Sequence, residues 1–258
     1  MLLTVDLERL RVRRGERLLD AGCGEGRHCF GALERGAQVV GLDLDRASLH
    51  KAAGALRFRG AEVGRLAAML QGDAFHLPFP DATFDKVICS EVMEHVHDFT
   101  GAARELARVL RPGGLAAITI PTTTSEHLYL RVGDDYFESP GGHIRIFSPR
   151  QLAHGLARAG FATTGVGFAH ALHTPYWVLR SVAGLRHADE RALVRAYRRF
   201  LIRATGSPAM AWLENALNYF CPKSVILYAE KRSGPRAALP SDLRSAPPRC
   251  APDGLRPA

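Results

Sequence analysis

Short apolar runs alternate along this chain with longer amphipathic stretches. The runs at 17–21, 38–42, 66–71, 84–90 and 115–120 are rich in apolar residues, and several carry β-branched side chains. Runs of that length read as strands buried on both faces. Between them, 26–35, 46–59 and 99–110 read as helices, the last amphipathic and stopped by Arg111-Pro112-Gly113-Gly114. Strands and helices alternating at this spacing predict βαβ units and a mostly parallel α/β sheet with helices on both faces.

After Pro121 the pattern breaks. Residues 122–147 read as an irregular insertion carrying Gly133-Asp134-Asp135-Tyr136-Phe137. Ser148-Pro149 then opens a helix, with serine as N-cap and proline in the first turn. Gly160 ends it after Ala159, and 161–168 reads as a strand. Residues 175–218 are helical, with breaks near Gly184 and at Gly206-Ser207-Pro208, and 224–230 is a last strand. The final 27 residues are rich in Pro, Arg, Ala and Ser, a composition expected to be disordered. The expected organisation is one domain over 1–231, a helical cap inserted at about 171–222, and a tail over 232–258.

Composition changes this picture little. The chain has 258 residues, 47% hydrophobic and 23% charged, which excludes wholesale disorder, a collagen-like repeat and a transmembrane bundle. The net charge of +8 is more informative once it is located. Residues 1–179 hold 20 basic and 20 acidic side chains, whereas 180–203 hold seven arginines against Asp189 and Glu190. Residues 232–258 hold five arginines against two aspartates. The excess therefore lies in the cap and the tail. Within the cap, Leu193, Tyr197, Phe200 and Leu201 recur at helical spacing, with Arg191, Arg195, Arg198 and Arg199 beside them. That helix reads as a solvated lid face, with an anionic membrane surface as a further option. No nucleic-acid partner is expected, because no RNA-binding module accompanies the arginines. Cys23, Cys29, Cys89, Cys221 and Cys250 form no CxxC pair, so neither a disulfide framework nor a zinc site is expected from them. The N-terminus lacks an apolar signal segment, which makes a cytoplasmic location the expectation. The sequence leaves the oligomeric state open.

The chemistry concentrates at Leu18-Leu19-Asp20-Ala21-Gly22-Cys23-Gly24-Glu25-Gly26. A strand ends, glycines form a turn and a helix begins, which is where an open α/β sheet binds ligands. No G-K-[S/T] follows, so this is not a phosphate-binding P-loop. Counting G-x-G-x-x-G from Gly22 puts Arg27 at the last position, which argues against a dinucleotide fingerprint. Asp20 would repel a pyrophosphate but suits a ligand carrying an ammonium group. Asp43, Asp73 and the glycines also have plainer readings, as a helix cap or as turn residues.

Taken together, these motifs resemble those of the class I S-adenosylmethionine (SAM) dependent methyltransferases. The resemblance rests on the glycine turn, Asp43-Leu44, Gly72-Asp73-Ala74, the stretch Phe84-Asp85-Lys86-Val87-Ile88-Cys89-Ser90-Glu91-Val92-Met93-Glu94-His95-Val96, Leu110-Arg111-Pro112-Gly113-Gly114, and His143-Ile144-Arg145-Ile146-Phe147-Ser148-Pro149 followed by Ala159-Gly160-Phe161. It is similar to the small-molecule, type 11 branch over about residues 10–170. It implies a Rossmann-like seven-stranded sheet, mostly parallel with an antiparallel last strand. It also implies SAM as cofactor, held by Asp20, Gly22, Cys23, Gly24, Asp43, Leu44, Asp73, Ala74 and Ser90. Asp43 would accept from the ribose hydroxyls, Leu44 would lie against adenine, and Asp73 would accept from the adenine amino group. His143, then His95, are the candidates for the catalytic base. Tyr136, Phe137, Tyr176 and Trp177 are the candidates for the acceptor pocket. Some relatives use an E-x-x-E-H motif, here Glu91, Glu94 and His95, to hold a divalent metal; none is expected here.

The resemblance implies methyl transfer to a small-molecule acceptor, most simply at oxygen, with nitrogen or carbon as options and a lipid, quinone-like or specialised metabolite as acceptor. The family's N-terminal covering helices have little counterpart in the 16 residues before the first strand, so the cap is expected to do more of the covering. An RNA or protein methyltransferase docking through the Arg-rich helix, or a non-catalytic SAM-binding protein, are the alternatives.

Overall fold

Leu18 and Leu19 point to opposite faces of strand β1 (Arg17–Ala21), and each belongs to a core of its own. Side chains alternate along a strand, so a sheet covered on both sides needs apolar residues at both parities. The computed structural model describes residues 3–132, 143–184, 188–204 and 207–233. Within them β1, β2 (Gln38–Asp43), β3 (Ala67–Gln71), β4 (Phe84–Ser90), β5 (Leu110–Pro121), β6 (Phe161–Ala169) and β7 (Ser224–Lys231) form one sheet in the order β3-β2-β1-β4-β5-β7-β6. Strands β1 to β5 are parallel, and β7 runs antiparallel to both β5 and β6. The carboxyl ends of β1 to β6 therefore share one edge, and β7 starts there.

On one face Leu19, Leu42, Val87, Cys89 and Ile118 pack under α4 (Phe99–Val109) and α6 (Pro149–Arg158), which bury Leu106, Leu152 and Leu156. On the other, Leu18, Val39, Ile88 and Ala117 meet α1 (Arg27–Glu34), α2 (Arg46–Arg57) and the N-terminal residues Val5, Leu7 and Leu10. Asp45 caps α2 by accepting from the amides of Ala47 and Ser48. Ser148 and Gln151 form a reciprocal capping box that starts α6, as the Ser-Pro pair suggests. A short α3 (Ala61–Gly64) precedes β3. No helix among the described residues is long and apolar enough to cross a membrane.

Three expectations need correction. Residues 123–132 are helical: α5 (Thr123–Val132) sits where an irregular insertion was expected. Its threonines are weak helix formers, and burial of Ser125 and Glu126 outweighs that preference. Second, Leu110 to Gly114 is the beginning of β5 and not a turn before it. Leu110 pairs with Phe84, and the register then slips so that Leu115 meets Lys86, the extra residues being taken up around Gly113 (φ 71°). Third, the cap is α7 (His173–Val182), a 3₁₀ turn at Ala188–Glu190, α8 (Ala192–Ala204) and α9 (Pro208–Leu217), but the buried seam of α8 is Val194 and Leu201. Leu193 and Phe200, expected in the stripe, are exposed because the helix is rotated to bring Tyr197 against α7, where its hydroxyl donates to the Leu172 carbonyl. Tyr136, Phe137 and nearly all of the tail lie outside the described residues.

Two helical glycines predict opposite effects of alanine. A Cβ at Gly155 in α6 would lie 2.2 Å from the Phe99 ring, whereas at Gly54 in α2 it would meet nothing within 4 Å. Gly155→Ala should lower the denaturation midpoint, by about 1–3 kcal/mol of overpacking. Gly54→Ala should raise it by about 0.5–1 kcal/mol. Chemical denaturation of both variants checks the pair.

Candidate active site

The glycine turn is fastened to β2 by backbone and carboxylate. The amides of Gly22 and Cys23 both donate to the Leu42 carbonyl, at 2.7 and 3.0 Å. The Gly24 amide donates to Asp43 Oδ2 at 2.7 Å, and the Asp45 amide donates to Oδ1 at 2.8 Å. Gly22 has to be glycine twice over: its φ is 77°, and a Cβ there would overlap the Val92 side chain at 2.2 Å. Gly24, at φ 53°, faces open space. Cys23 turns its side chain into the core, where its sulfur would lie 2.9 Å from a Cβ on Gly41.

Along the same edge, the Gly72 amide donates to the Asp43 carbonyl, and Asp73 Oδ1 accepts from the Phe75 amide at 3.0 Å. Ala74 is buried, whereas Leu44 is 66% exposed on the rim. The structure thus brings Gly22, Gly24, Asp43, Leu44, Asp73 and Ala74 to the carboxyl ends of three neighbouring strands. Asp20 is placed differently from a rim residue. It is fully buried beneath the turn, with Oδ2 accepting from the Cys29 thiol at 3.3 Å and Oδ1 lacking a hydrogen-bond partner. Burial pushes its carboxyl up to about 7, against the pull of Cys29 and Arg27.

A second set of groups spans β4, β5 and β7. Arg27 donates to Ser90 Oγ (3.3 Å), Ser90 Oγ lies 2.9 Å from Thr119 Oγ1, and Thr119 donates to Glu91 Oε1 (3.1 Å). Lys223, just before β7, donates to Glu91 Oε2 at 2.8 Å. Because the Thr119 hydroxyl is spent on Glu91, the Ser90 hydroxyl must donate to Thr119, which orients the whole chain of hydrogen bonds. Burial alone would raise the Glu91 carboxyl, but Lys223, Arg27 and Thr119 outweigh it and hold it below its ordinary value. Glu91 sits at φ 58°, a left-handed conformation that is costly for a residue with a side chain.

The third group lies beyond β4. His143 Nδ1 donates to Glu126 Oε2 at 2.9 Å, and its Nε2 lies 4.0 Å from Glu94 Oε1. Glu126 and Glu94 are both buried. Burial, and then the charge of Glu91, keep the Glu94 carboxyl well above its ordinary range. The exposed His95 packs its ring edge-on to His143, at 4.8 Å between centroids. The E-x-x-E-H residues do not converge on one point, since Glu91 is taken by Lys223. In this part of the site, Glu94, His95 and His143 each bring one ligand atom within 4.8 Å of the others. Above the network, Lys223 Nζ lies 5.9 Å from the Trp177 ring centre, and Arg180 lies over both Tyr176 and Trp177. Glu126, Thr119 and Lys223 were not singled out from the sequence. The only local signal for Glu126 was the run of Thr and Ser before it, a helix start in which Thr122 accepts from the Ser125 amide.

This sheet order, with a glycine turn at the switch point between β1 and β4, is that of a nucleotide-type α/β fold. A family model described as Methyltransferase domain, of type 11, matches residues 19–118. The Ubiquinone biosynthesis O-methyltransferase of Aeromonas salmonicida (strain A449) is 31% identical over 163 residues, covering 60% of this chain and 67% of that protein. Methyltransferase GfsG of Streptomyces halstedii is 43% identical over 112 residues, covering 43% of this chain and 40% of that protein. The chain spans less than two thirds of the length of several curated relatives it matches. Among solved structures, geranyl diphosphate methyltransferase in complex with SAM superposes with a TM-score of 0.60 at 19% identity, over 87% of this chain and 82% of that one. The chain belongs to the class I SAM-dependent methyltransferases, in the type 11 branch.

The residues present fit that family's cofactor, SAM. The bare backbone at Gly24 admits close approach, and Leu44 offers an uncovered apolar side chain beside it. Each Asp43 oxygen keeps a second lone pair after accepting its backbone amide.

Asp20 generates a pH prediction. Its carboxyl is near 7 in the folded protein against 3.8 ordinarily, so between those values the folded state holds the extra proton. Its contribution to stability is therefore present below about pH 4 and falls as pH rises towards 7. Asp20→Asn removes this loss. Thermal melts from pH 5 to pH 8 should show the variant gaining about 4 °C or more on the wild type; a constant difference would contradict an ionisable, buried Asp20.

Proposed function

We propose that the protein transfers a methyl group from SAM to a small apolar molecule bearing a hydroxyl group. The observation that carries this reading is the His143–Glu126 pair, 2.9 Å apart, next to Glu94 in the segment that follows β4. SAM, when bound, supplies an electrophilic methyl group on a sulfonium. Asp43 would accept from its ribose hydroxyls, Leu44 would lie under its adenine, and Asp73 would accept from the adenine amino group. Gly24 would let the ligand lie against the backbone, with Gly22, Cys23, Ala74 and Ser90 shaping the floor. Asp20, from beneath the turn, would supply negative charge for the ligand's ammonium group through space.

Methyl transfer to a hydroxyl needs the nucleophile aligned with the methyl carbon and a place for the hydroxyl proton. With Nδ1–H held by Glu126, His143 is left with Nε2 as the proton acceptor. Glu126 would stabilise the imidazolium that forms. His95, edge-on to His143, would support the ring's position. Glu94, its carboxyl pushed well up by burial and by the charge of Glu91, would favour the uncharged form beside it. Trp177 and Tyr176, with Lys223 and Arg180 over their rings, would form the apolar wall for an aromatic or isoprenoid-like acceptor. The quinone-pathway relative supports an oxygen acceptor of this kind.

Asp43→Ala should weaken SAM binding at least tenfold by calorimetry; wild-type affinity would remove the ribose assignment. Labelled-methyl SAM, incubated with extracts, identifies the product. On that acceptor, His143→Ala should lower kcat by about 10²–10⁴-fold, with SAM affinity unchanged. Glu126→Gln should lower kcat less and shift the rising limb of its pH profile. A His143→Ala variant with wild-type kcat would leave the reading without its base.

A further inference from the structure

We propose that His170, His173 and Glu214 form a divalent-cation site, of zinc type, that ties the cap to the end of β6. The proposal is independent of the acceptor and of the methyl-transfer chemistry. The three residues come from three places: the end of β6, the first turn of α7 and the middle of α9. One ligand atom from each lies within 4.8 Å of the others, and His170 Nδ1 is 3.9 Å from Glu214 Oε1. The two imidazoles meet edge-on at 5.1 Å.

The facing atoms are the unusual feature. His170 Nδ1, His173 Nδ1 and Glu214 Oε1 are all buried, and none of the three has a hydrogen-bond partner. An unsatisfied buried polar group is costly, and three of them facing one another across a few ångströms are seldom left so. An ion satisfies all three at once. Zinc–ligand distances of about 2.0–2.2 Å correspond to ligand atoms about 3.4 Å apart in a tetrahedron, so the trio would close by a fraction of an ångström to somewhat over one. Two imidazoles and a carboxylate suit zinc better than magnesium or calcium, which prefer all-oxygen sets.

The surroundings hold these ligands in place. The other nitrogen of His170, Nε2, is engaged by Thr4 Oγ1 at 2.9 Å, which directs Nδ1 towards the trio. His170 itself is held at φ 68°, a strained conformation for a residue with a side chain. One turn after Glu214, Asn218 Oδ1 accepts from the Ala171 amide at 2.9 Å and pins α9 to the loop carrying the histidines. Arg27 and Lys223 are the nearby cations. Lys223 is already paired with Glu91, and Arg27 lies against Ser90 with Glu91 and Asp20 as counter-charges. A cavity of about 680 Å³ between the N-terminal residues and α9 includes Thr4, Phe168, His170 and Glu214 in its lining.

The test uses the full-length protein stripped with chelator, titrated with zinc chloride by calorimetry and assayed for bound metal by mass spectrometry. One equivalent of zinc should bind, raise the melting temperature, and on replacement by cobalt give the visible bands of a four-coordinate site. His173→Ala and the nearly isosteric Glu214→Gln should each weaken binding at least tenfold, and Thr4→Val by about tenfold. His143→Ala should keep the full equivalent, which separates this site from the Glu94, His95 and His143 trio. Absence of stoichiometric zinc in the wild type, or wild-type affinity in a folded Glu214→Gln protein, would overturn the proposal.

Discussion

The ion pair between Glu91 and Lys223 is the contact on which the rest of the site depends. It joins the end of β4 to the start of β7, 132 residues apart in sequence. Both groups are largely withdrawn from water, with 20% and 17% of their side chains exposed. Removing one partner of such a pair strands the other charge, at a cost of about 3–5 kcal/mol for a fully buried pair and less here. The pair also fixes what surrounds it. Thr119 and Ser90 are oriented through Glu91, Arg27 through Ser90, and Trp177 stands over Lys223. The cofactor side and the cap side of the edge are thereby one connected polar structure.

That arrangement sorts three carboxyl groups by their surroundings. Glu91 stays ionised because a lysine and an arginine face it. Glu94, three residues on, is pushed well up by burial and by the charge of Glu91, against a weaker pull from Lys223. Asp20, under the glycine turn, lies between these cases, with its carboxyl near neutrality. Local charge is set here by position relative to two cations, Lys223 and Arg27, since Asp20 and Glu94 are buried and Glu91 is largely withdrawn from water.

The chain's excess positive charge has a different origin. The body that carries the turn and the network is balanced, and the arginines cluster on α8 and in the tail. On α8 they stand beside a narrow buried seam of Val194 and Leu201, while Leu193, Phe200 and Ile202 are exposed. The cap is thus held mainly through α7, through Asn218 and through the junction with β6. That junction is where His170, His173 and Glu214 meet.

Sequence by itself determined the strands, most of the helices and the glycine turn. These follow from local rules: side-chain period, capping residues, and backbone angles that only glycine adopts cheaply. It also located Asp43, the last residue of β2, and Asp73, two residues past the end of β3, because the carboxyl ends of those strands must lie on the ligand edge. Tertiary structure alone decided the partners. Glu126 lies in a segment with poor helix formers, and only packing against the sheet makes it helical and turns it towards His143. Some relatives gather their E-x-x-E-H residues around a metal, but here Glu91 turns to Lys223 because an opposite charge awaits it at the start of β7. Neighbours in sequence share a backbone, but charges and lone pairs find their partners through space.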